Sequence, residues 1–269
     1  MTKHLTILTG ASRGMGLAMA CQLLNQGHTL LCISRSQQEA LTRHAHDTGA
    51  TLLQWSHDLA YSAALGARLE TWLHEQESTA WASATLINNA GMIPHIGPLA
   101  NVKADELARA LRVGLEAPMQ LAAAFLRATQ SWQCERKMLN ISSGLARRAM
   151  ASQAAYCAAK AGMDHFTRCV ALEEAGKPHG ARVCSLAPGT VDTDMQQHLR
   201  AADAAAFPDQ ERFARLKTEG LLTSAEDAAR SVLAWLARPD FGTQPVADVR
   251  DELAPTLFTS CNALPPRGG

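Results

Sequence analysis

Leu5-Thr6-Ile7-Leu8-Thr9-Gly10-Ala11-Ser12-Arg13-Gly14-Met15-Gly16 is the stretch whose reading decides the fold class. Residues 5–9 are a short apolar run suited to a buried strand. A glycine-rich turn comes next, and residues 15–25 carry a helical pattern that stops near Gly27. Glycines at 10, 14 and 16 let the backbone turn sharply and approach an anion closely. The helix N-terminus beyond them offers free N–H groups and a positive dipole end. The spacing is G-x-x-x-G-x-G, which differs from the G-x-G-x-x-G dinucleotide fingerprint. A tight turn without a ligand is the plain alternative.

Working outward, the same alternation repeats. Strand-like runs at 29–33, 51–55, 84–88, 137–141 and 181–186 alternate with helix-like segments at 37–46, 61–77, 103–130 and 153–175. Short apolar strands separated by helices predict βαβ units and a parallel sheet buried on both faces, with right-handed crossovers. After Pro188, helices are expected at 193–200, 210–217 and 225–237, and a last strand at 244–249. No linker or internal repeat divides the chain. The expectation is a single α/β domain over 1–253, with 254–269 a poorly ordered tail.

Composition narrows the function classes. The 269 residues are 47% hydrophobic, and Lys+Arg and Asp+Glu both total 25, so the formal net charge is zero. That balance argues against a phosphate-neutralising nucleic-acid protein and against a polybasic membrane binder. The seven cysteines are odd in number, lack C-x-x-C spacing and mostly sit in apolar stretches, as in a reducing compartment. The histidines show no zinc spacing, and no apolar run approaches a membrane span. The N-terminal apolar run is too short for a signal peptide. A soluble cytoplasmic protein with no resident metal is expected.

The chemistry-bearing residues lie just past the strands. Ser34 and Arg35 end the second strand, where an acid would bind a ribose 2′-hydroxyl and an arginine a 2′-phosphate. With Arg13 in the glycine loop, two guanidiniums and a hydroxyl suit a dianion, which predicts NADPH over NADH. The alternative is that both arginines are solvated surface charges. Asp58, before Leu59, can accept from an adenine amino group or cap the next helix. Asn89-Ala90-Gly91 comes after the fourth strand with small residues that let the chain pass close to a ribose. Tyr156-Cys157-Ala158-Ala159-Lys160 puts a phenol and an ammonium at i and i+4 of one helical face. An ammonium near a tyrosine is expected to lower its pKa of about 10. Ser143, thirteen residues earlier and just past a strand, can hold a reacting oxygen.

Together these motifs resemble the short-chain dehydrogenase/reductase family, over residues 9–193 and weakly to Asp251. The resemblance implies a Rossmann-type doubly wound domain, its mostly parallel sheet of seven strands covered by helices on both faces. It implies an NADP(H) cofactor and reduction of a ketone, aldehyde or dicarbonyl. The catalytic set would be Ser143, Tyr156 and Lys160. Tyr156 would be the acid/base and Ser143 the holder of the substrate oxygen. Lys160 would bind the nicotinamide ribose and lower the tyrosine pKa. The cofactor would also be held by Gly10, Ser12, Arg13, Gly14, Met15, Gly16, Ser34, Arg35, Asp58, Leu59, Asn89, Ala90 and Gly91. Pro188, Gly189, Thr190, Val191 and Thr193 would hold its carboxamide. The loop from Ala187 to Gln196 is similar to that of the sepiapterin reductase and benzil reductase branch, in which Asp248 best matches a substrate-anchoring aspartate; a structural aspartate ending a strand is the alternative. Homodimers or homotetramers are implied, with a small-molecule substrate as the other partner.

One departure stands out: Gly114, in Arg112-Val113-Gly114-Leu115-Glu116, occupies the place of a frequent family asparagine. Glycine permits a kink but supplies no side-chain amide. A cofactor-binding regulator or redox sensor with little turnover is therefore carried as the alternative. Within the enzyme class, an alcohol dehydrogenase or a reductase of carrier-bound keto groups is carried too. Arg147 and Arg148 stand between Ser143 and Tyr156. They are read either as solvated surface charges or as attractors of an anionic substrate.

Overall fold

A computed structural model describes residues 3–251, so the expected tail at 254–269 and Cys261 lie outside the described residues. Seven strands form one sheet: β1 Lys3–Thr9, β2 His28–Ser34, β3 Thr51–Ser56, β4 Trp81–Asn88, β5 Glu135–Ile141, β6 Arg182–Ala187 and β7 Val246–Asp248. The order is β3-β2-β1-β4-β5-β6-β7, and every pairing is parallel. Parallel strands require crossovers, which the helices supply: α1 Gly14–Leu23, α2 Glu39–Thr48, α3 Ser62–His74, α4 Ala104–Leu111, α5 Ala117–Ala128, α6 Ala154–Ala175, α7 Asp194–Arg200, α8 Gln210–Thr218 and α9 Ala225–Ala237.

The strands alternate their side chains between two cores. Leu5 and Ile7 of β1 join Leu31 and Ile33 of β2 on one face, under α3 and α5, with Leu65, Leu69, Leu121 and Phe125. Leu8, Leu30 and Cys32 face the other way, under α1, α2 and α9, with Met19, Leu41 and Val232. That period of two is why the strands read as continuous apolar runs. A third, smaller cluster of Ile96, Met150, Leu199, Phe207 and Phe213 seats α7 and α8, with the Phe207 and Phe213 rings stacked 5.6 Å apart.

Two elements differ from expectation. The long helix at 103–130 is broken by a π-helical turn, Arg112–Glu116, where the Ala117 N–H reaches back to the Arg112 carbonyl. Gly114 lies buried in that turn, and a Cβ there would stand 3.1 Å from Ala159 Cβ on α6. The last strand is shorter than 244–249 and begins after Pro245, which has no N–H to give the ladder. Among the described residues no helix is long and apolar enough to cross a membrane, and no cluster could hold a metal ion.

Candidate active site

The strand order turns back on itself between β1 and β4, the place where open parallel sheets bind ligands beyond their carboxyl ends. A cavity of about 1240 Å³ lies there. Its wall is built from the segments just past the strand ends: the glycine loop, Ser34 and Arg35, Asp58 and Leu59, Asn89 to Gly91, Ser143, residues 188–191 with Thr193, and Asp248. Tyr156 and Lys160 enter it from α6.

The glycine loop is held by side chains of its neighbours. Asn89 Nδ2 donates to the Thr9 and Gly10 carbonyls at 3.0 and 3.3 Å. Thr9 Oγ1 accepts from the Asn89 and Ala90 N–H groups, each at 3.0 Å. Gly10 has φ +74°, and a Cβ on Gly16 would fall 2.1 Å from the Gly10 carbonyl oxygen, so only glycine lets α1 close on the loop. Arg13 stands at the N-cap of α1 without a side-chain cap, and no acidic residue occupies the first turn. The first amides of α1 and their positive end therefore remain available to an anion at the cavity. This cradle fits the pyrophosphate of a dinucleotide.

Beside the ends of β2 and β3, Arg35 is exposed and makes no ion pair among the described residues, while the Ser34 hydroxyl donates to the Ser36 carbonyl at 2.9 Å. Arg13 pairs with Asp194 at 3.0 Å, both side chains nearly two-thirds exposed. Such a surface pair is weak and easily exchanged for a stronger anion. Asp58 caps the short turn Leu59–Tyr61 through the Ala60 N–H at 3.0 Å, and its other oxygen meets Arg109 at 2.6 Å. Burial works against its charge, but the Ala60 N–H, Arg109 and Arg35 together hold the carboxyl below its ordinary value. Asp58 thus caps the turn and also lines the cavity. The sequence gives no sign of Arg109 as its partner, because the two lie 51 residues apart on different elements.

At the other end, Tyr156 is buried with its ring centroid 5.9 Å from Lys160 Nζ. Lys160 Nζ donates to the Ile141 carbonyl at 2.6 Å. Burial pulls the lysine down to about 8, with Asp164 acting in the opposite direction. Ser143 accepts from the Leu145 N–H at 3.2 Å and so caps the turn Gly144–Ala146. The expected lowering of the tyrosine by the lysine is corrected here. Burial pushes the phenol above its ordinary value, the Ser143 hydroxyl pulls it back, and Cys157 adds to the rise. The lysine head is turned to a backbone carbonyl, and desolvation of the phenolate dominates.

The loop at 188–193 is pinned from below. Val191 bridges Thr223, Asp192 N–H donates to the Thr223 carbonyl, and Thr223 N–H donates to the Thr190 carbonyl. Asp248 lines the cavity but is already engaged: Arg250 grips it with two nitrogens at 2.7 and 2.6 Å, and Arg147 stands 3.4 Å away. Arg147 is thus tied to the wall, whereas Arg148 lines the cavity with no ion pair among the described residues. Met195 lines the cavity, Met150 belongs to the small core beneath it, and Trp235 packs on the far face of the sheet.

Comparison with known proteins agrees with this architecture. The family model for short chain dehydrogenases matches residues 4–204. The benzil reductase ((S)-benzoin forming) of Bacillus cereus is 34% identical over 235 residues, spanning 87% of this chain and 94% of that protein. The sepiapterin reductase of Xenopus tropicalis is 32% identical, over 85% of this chain and 89% of its own length. A crystal structure of a short-chain dehydrogenase/reductase from Burkholderia vietnamiensis, 34% identical, superposes with a TM-score of 0.62 over 93% of this chain and 98% of that one. Fold, motif order and relatives agree: the chain belongs to the short chain dehydrogenase family.

Proposed function

We propose that the protein is an NADPH-dependent carbonyl reductase of small ketones, aldehydes or dicarbonyls, with Tyr156 as proton donor. The observation that carries this reading is one cavity wall on which Ser143, Tyr156 and Lys160 stand beyond the glycine loop. The amides at Gly14, Met15 and Gly16, with Gly10 and Ser12, would hold the pyrophosphate. Ser34, Arg13 and Arg35 would hold the 2′-phosphate; Asp58 and Leu59 would border the adenine. Asn89, Ala90 and Gly91 would border the nicotinamide ribose, which Lys160 would bind. Pro188, Gly189, Thr190, Val191 and Thr193 would hold the carboxamide. When bound, the cofactor supplies the reducing equivalent as hydride.

The chain's own residues place and protonate. Ser143 Oγ, fixed by the Leu145 N–H, donates to the substrate oxygen. The Tyr156 phenol is kept protonated by burial, the state a donor needs at the start of reduction. The Lys160 ammonium, donating to the Ile141 carbonyl, would hold the ribose rather than lower the phenol. Apolar side chains from α7 and α8, Leu199, Phe213 and Leu216 among them, would line the substrate end.

The substrate classes of the relatives rank the test compounds: a vicinal diaryl diketone such as benzil first, then sepiapterin. Asp248 is included as a substrate-side residue acting through Arg147, since its oxygens are held by Arg250. The same reading places the protein in the cytoplasm and includes self-association through α5 and α6, where Met119 and Leu172 are exposed. The test is oxidation of NADPH and NADH by the purified protein across benzil, diacetyl, sepiapterin and simple aldehydes. NADPH-preferring turnover on dicarbonyls is expected. Tight NADPH binding with no turnover on any compound would shift the reading to a cofactor-binding regulator.

A further inference from the structure

Beneath the candidate catalytic side chains lies a buried carboxylate that the proposed reaction does not use. α6 turns one face onto β5 and β6, and Tyr156, Lys160, Asp164 and Thr167 rise along it at helical spacing. Three of them meet consecutive residues at the end of β5. Asn140 Nδ2 donates to Thr167 Oγ1 at 2.9 Å, and Lys160 Nζ donates to the Ile141 carbonyl at 2.6 Å. The Ser142 hydroxyl donates to Asp164 Oδ1 at 2.5 Å, and the Ser185 hydroxyl of β6 donates to the same oxygen at 2.7 Å. Asp164 is 2% exposed, and its Oδ2 has no hydrogen-bond partner. Two hydroxyls aimed at one oxygen suit an acceptor-only carboxylate. A buried carboxylate so held costs free energy unless a cation balances it. Lys160, also buried, stands one turn away on the same face.

We propose that Asp164 is a positioning residue for the proton-transfer set: clamped by Ser142 and Ser185, it keeps the Lys160 head charged and directed at the Ile141 carbonyl, and fixes the strand end from which Ser143 projects. The electrostatics point the same way, since Asp164 opposes the burial that draws Lys160 down to about 8. Two other titratable groups beside the pair are neutral. Tyr156 on α6 is held protonated by burial, and the Cys184 thiol on β6 is pushed up to about 12 by burial. The end of β5 contributes a carbonyl and hydroxyls, and the loop after β4 contributes Gly91, whose Cβ would stand 3.9 Å from Lys160 Nζ.

The proposal rests on the role given to Lys160, but its test needs no turnover, so its failure and that of the reductase reading are distinguishable. In the full-length protein without added cofactor, the 13Cε resonance of Lys160 is followed against pH. Asp164→Asn is expected to lower its titration midpoint by about 1 pH unit, and Asp164→Glu, which keeps the charge, to recover part of that shift. A merely structural role would change the melting temperature and leave the midpoint where it is; a folded Asp164→Asn protein with an unchanged midpoint overturns the proposal. Should that variant fail to fold, the Asp164 13Cγ resonance of the unmutated protein decides. An ionised carboxylate at neutral pH supports the proposal, and a protonated one contradicts it.

Discussion

At the scale of single residues, the proposed reaction divides the site into groups that hold charge and groups that move a proton. Arg35 belongs to the first. It is free to meet a 2′-phosphate, so Arg35→Ala should weaken NADPH binding by about tenfold to a hundredfold and leave NADH binding nearly unchanged, as read by titration calorimetry. Equal losses for both cofactors would make Arg35 a general surface charge. Lys160 holds charge too, beside the proposed proton donor. With its ammonium titrating near 8, turnover in the reductive direction should fall as pH rises through about 8, because the protonated form exists below that value and is lost above it. A rate that stays flat to pH 9 or so would remove the lysine's charge from the mechanism. These residues are legible in the sequence because their spacing is local: Tyr156 and Lys160 share a helix face, and Ser34 and Arg35 end one strand. The direction of the tyrosine shift is not legible there, since it is set by burial, which only the packed structure determines.

At the scale of elements, α6 carries the proposed catalytic residues Tyr156 and Lys160 at one end and a buried ion pair at the other. Arg136 of β5 meets Glu174 at 3.4 Å, both side chains at most 3% exposed, and also donates to the His179 carbonyl and Thr129. Removing the carboxylate with Glu174→Ala leaves a buried guanidinium uncompensated and should cost about 3–5 kcal/mol in denaturant unfolding. Burial opposes the Glu174 charge, yet Lys177, the Ala181 N–H and Arg136 together hold the carboxyl below its ordinary value. A carboxylate depressed on folding contributes stability above its unfolded value of about 4.3, and that contribution disappears as pH falls through the lower folded value. Acid unfolding of Glu174→Ala should accordingly show a weaker pH dependence than that of the unmutated protein in this range. The π turn at Arg112–Glu116 belongs to this scale too. Gly114→Asn sets a Cβ against Ala159, the neighbour of Lys160, and should alter the rate or the pH profile; identical values in both would uncouple the turn from the lysine. The strands and most helices are legible from their apolar periods. The π turn is not, because a single extra residue in a helix leaves the apolar pattern on both sides intact.

At the scale of the whole molecule, a neutral chain builds a charged cavity by collecting residues from every strand end. Arg13, Arg35, Arg109, Arg147, Arg148, Arg212 and Arg250 line it with Lys160, against Asp58, Asp194, Asp248 and Asp251. Net charge read from composition argues against a phosphate-neutralising nucleic-acid protein but does not reveal this local excess, which depends on topology bringing distant segments together. The two cores and the small cluster under α7 and α8 should respond differently to truncation. Phe125→Ala, in the sheet core, should cost about 3–5 kcal/mol of global stability. Phe207→Ala, in the small cluster, should raise the KM for the carbonyl substrate more than it lowers the melting temperature, because the cluster seats the elements that line the substrate end. Equal global losses with an unchanged KM would make that cluster ordinary core.

The most direct test of the central claim is the single-turnover rate of NADPH oxidation with benzil, compared between the unmutated protein and Tyr156→Phe. The phenyl ring keeps the packing and removes the proton donor. The account predicts a rate lower by about a hundredfold to ten-thousandfold with NADPH affinity unchanged. A Tyr156→Phe protein that reduces benzil at the unmutated rate would contradict it.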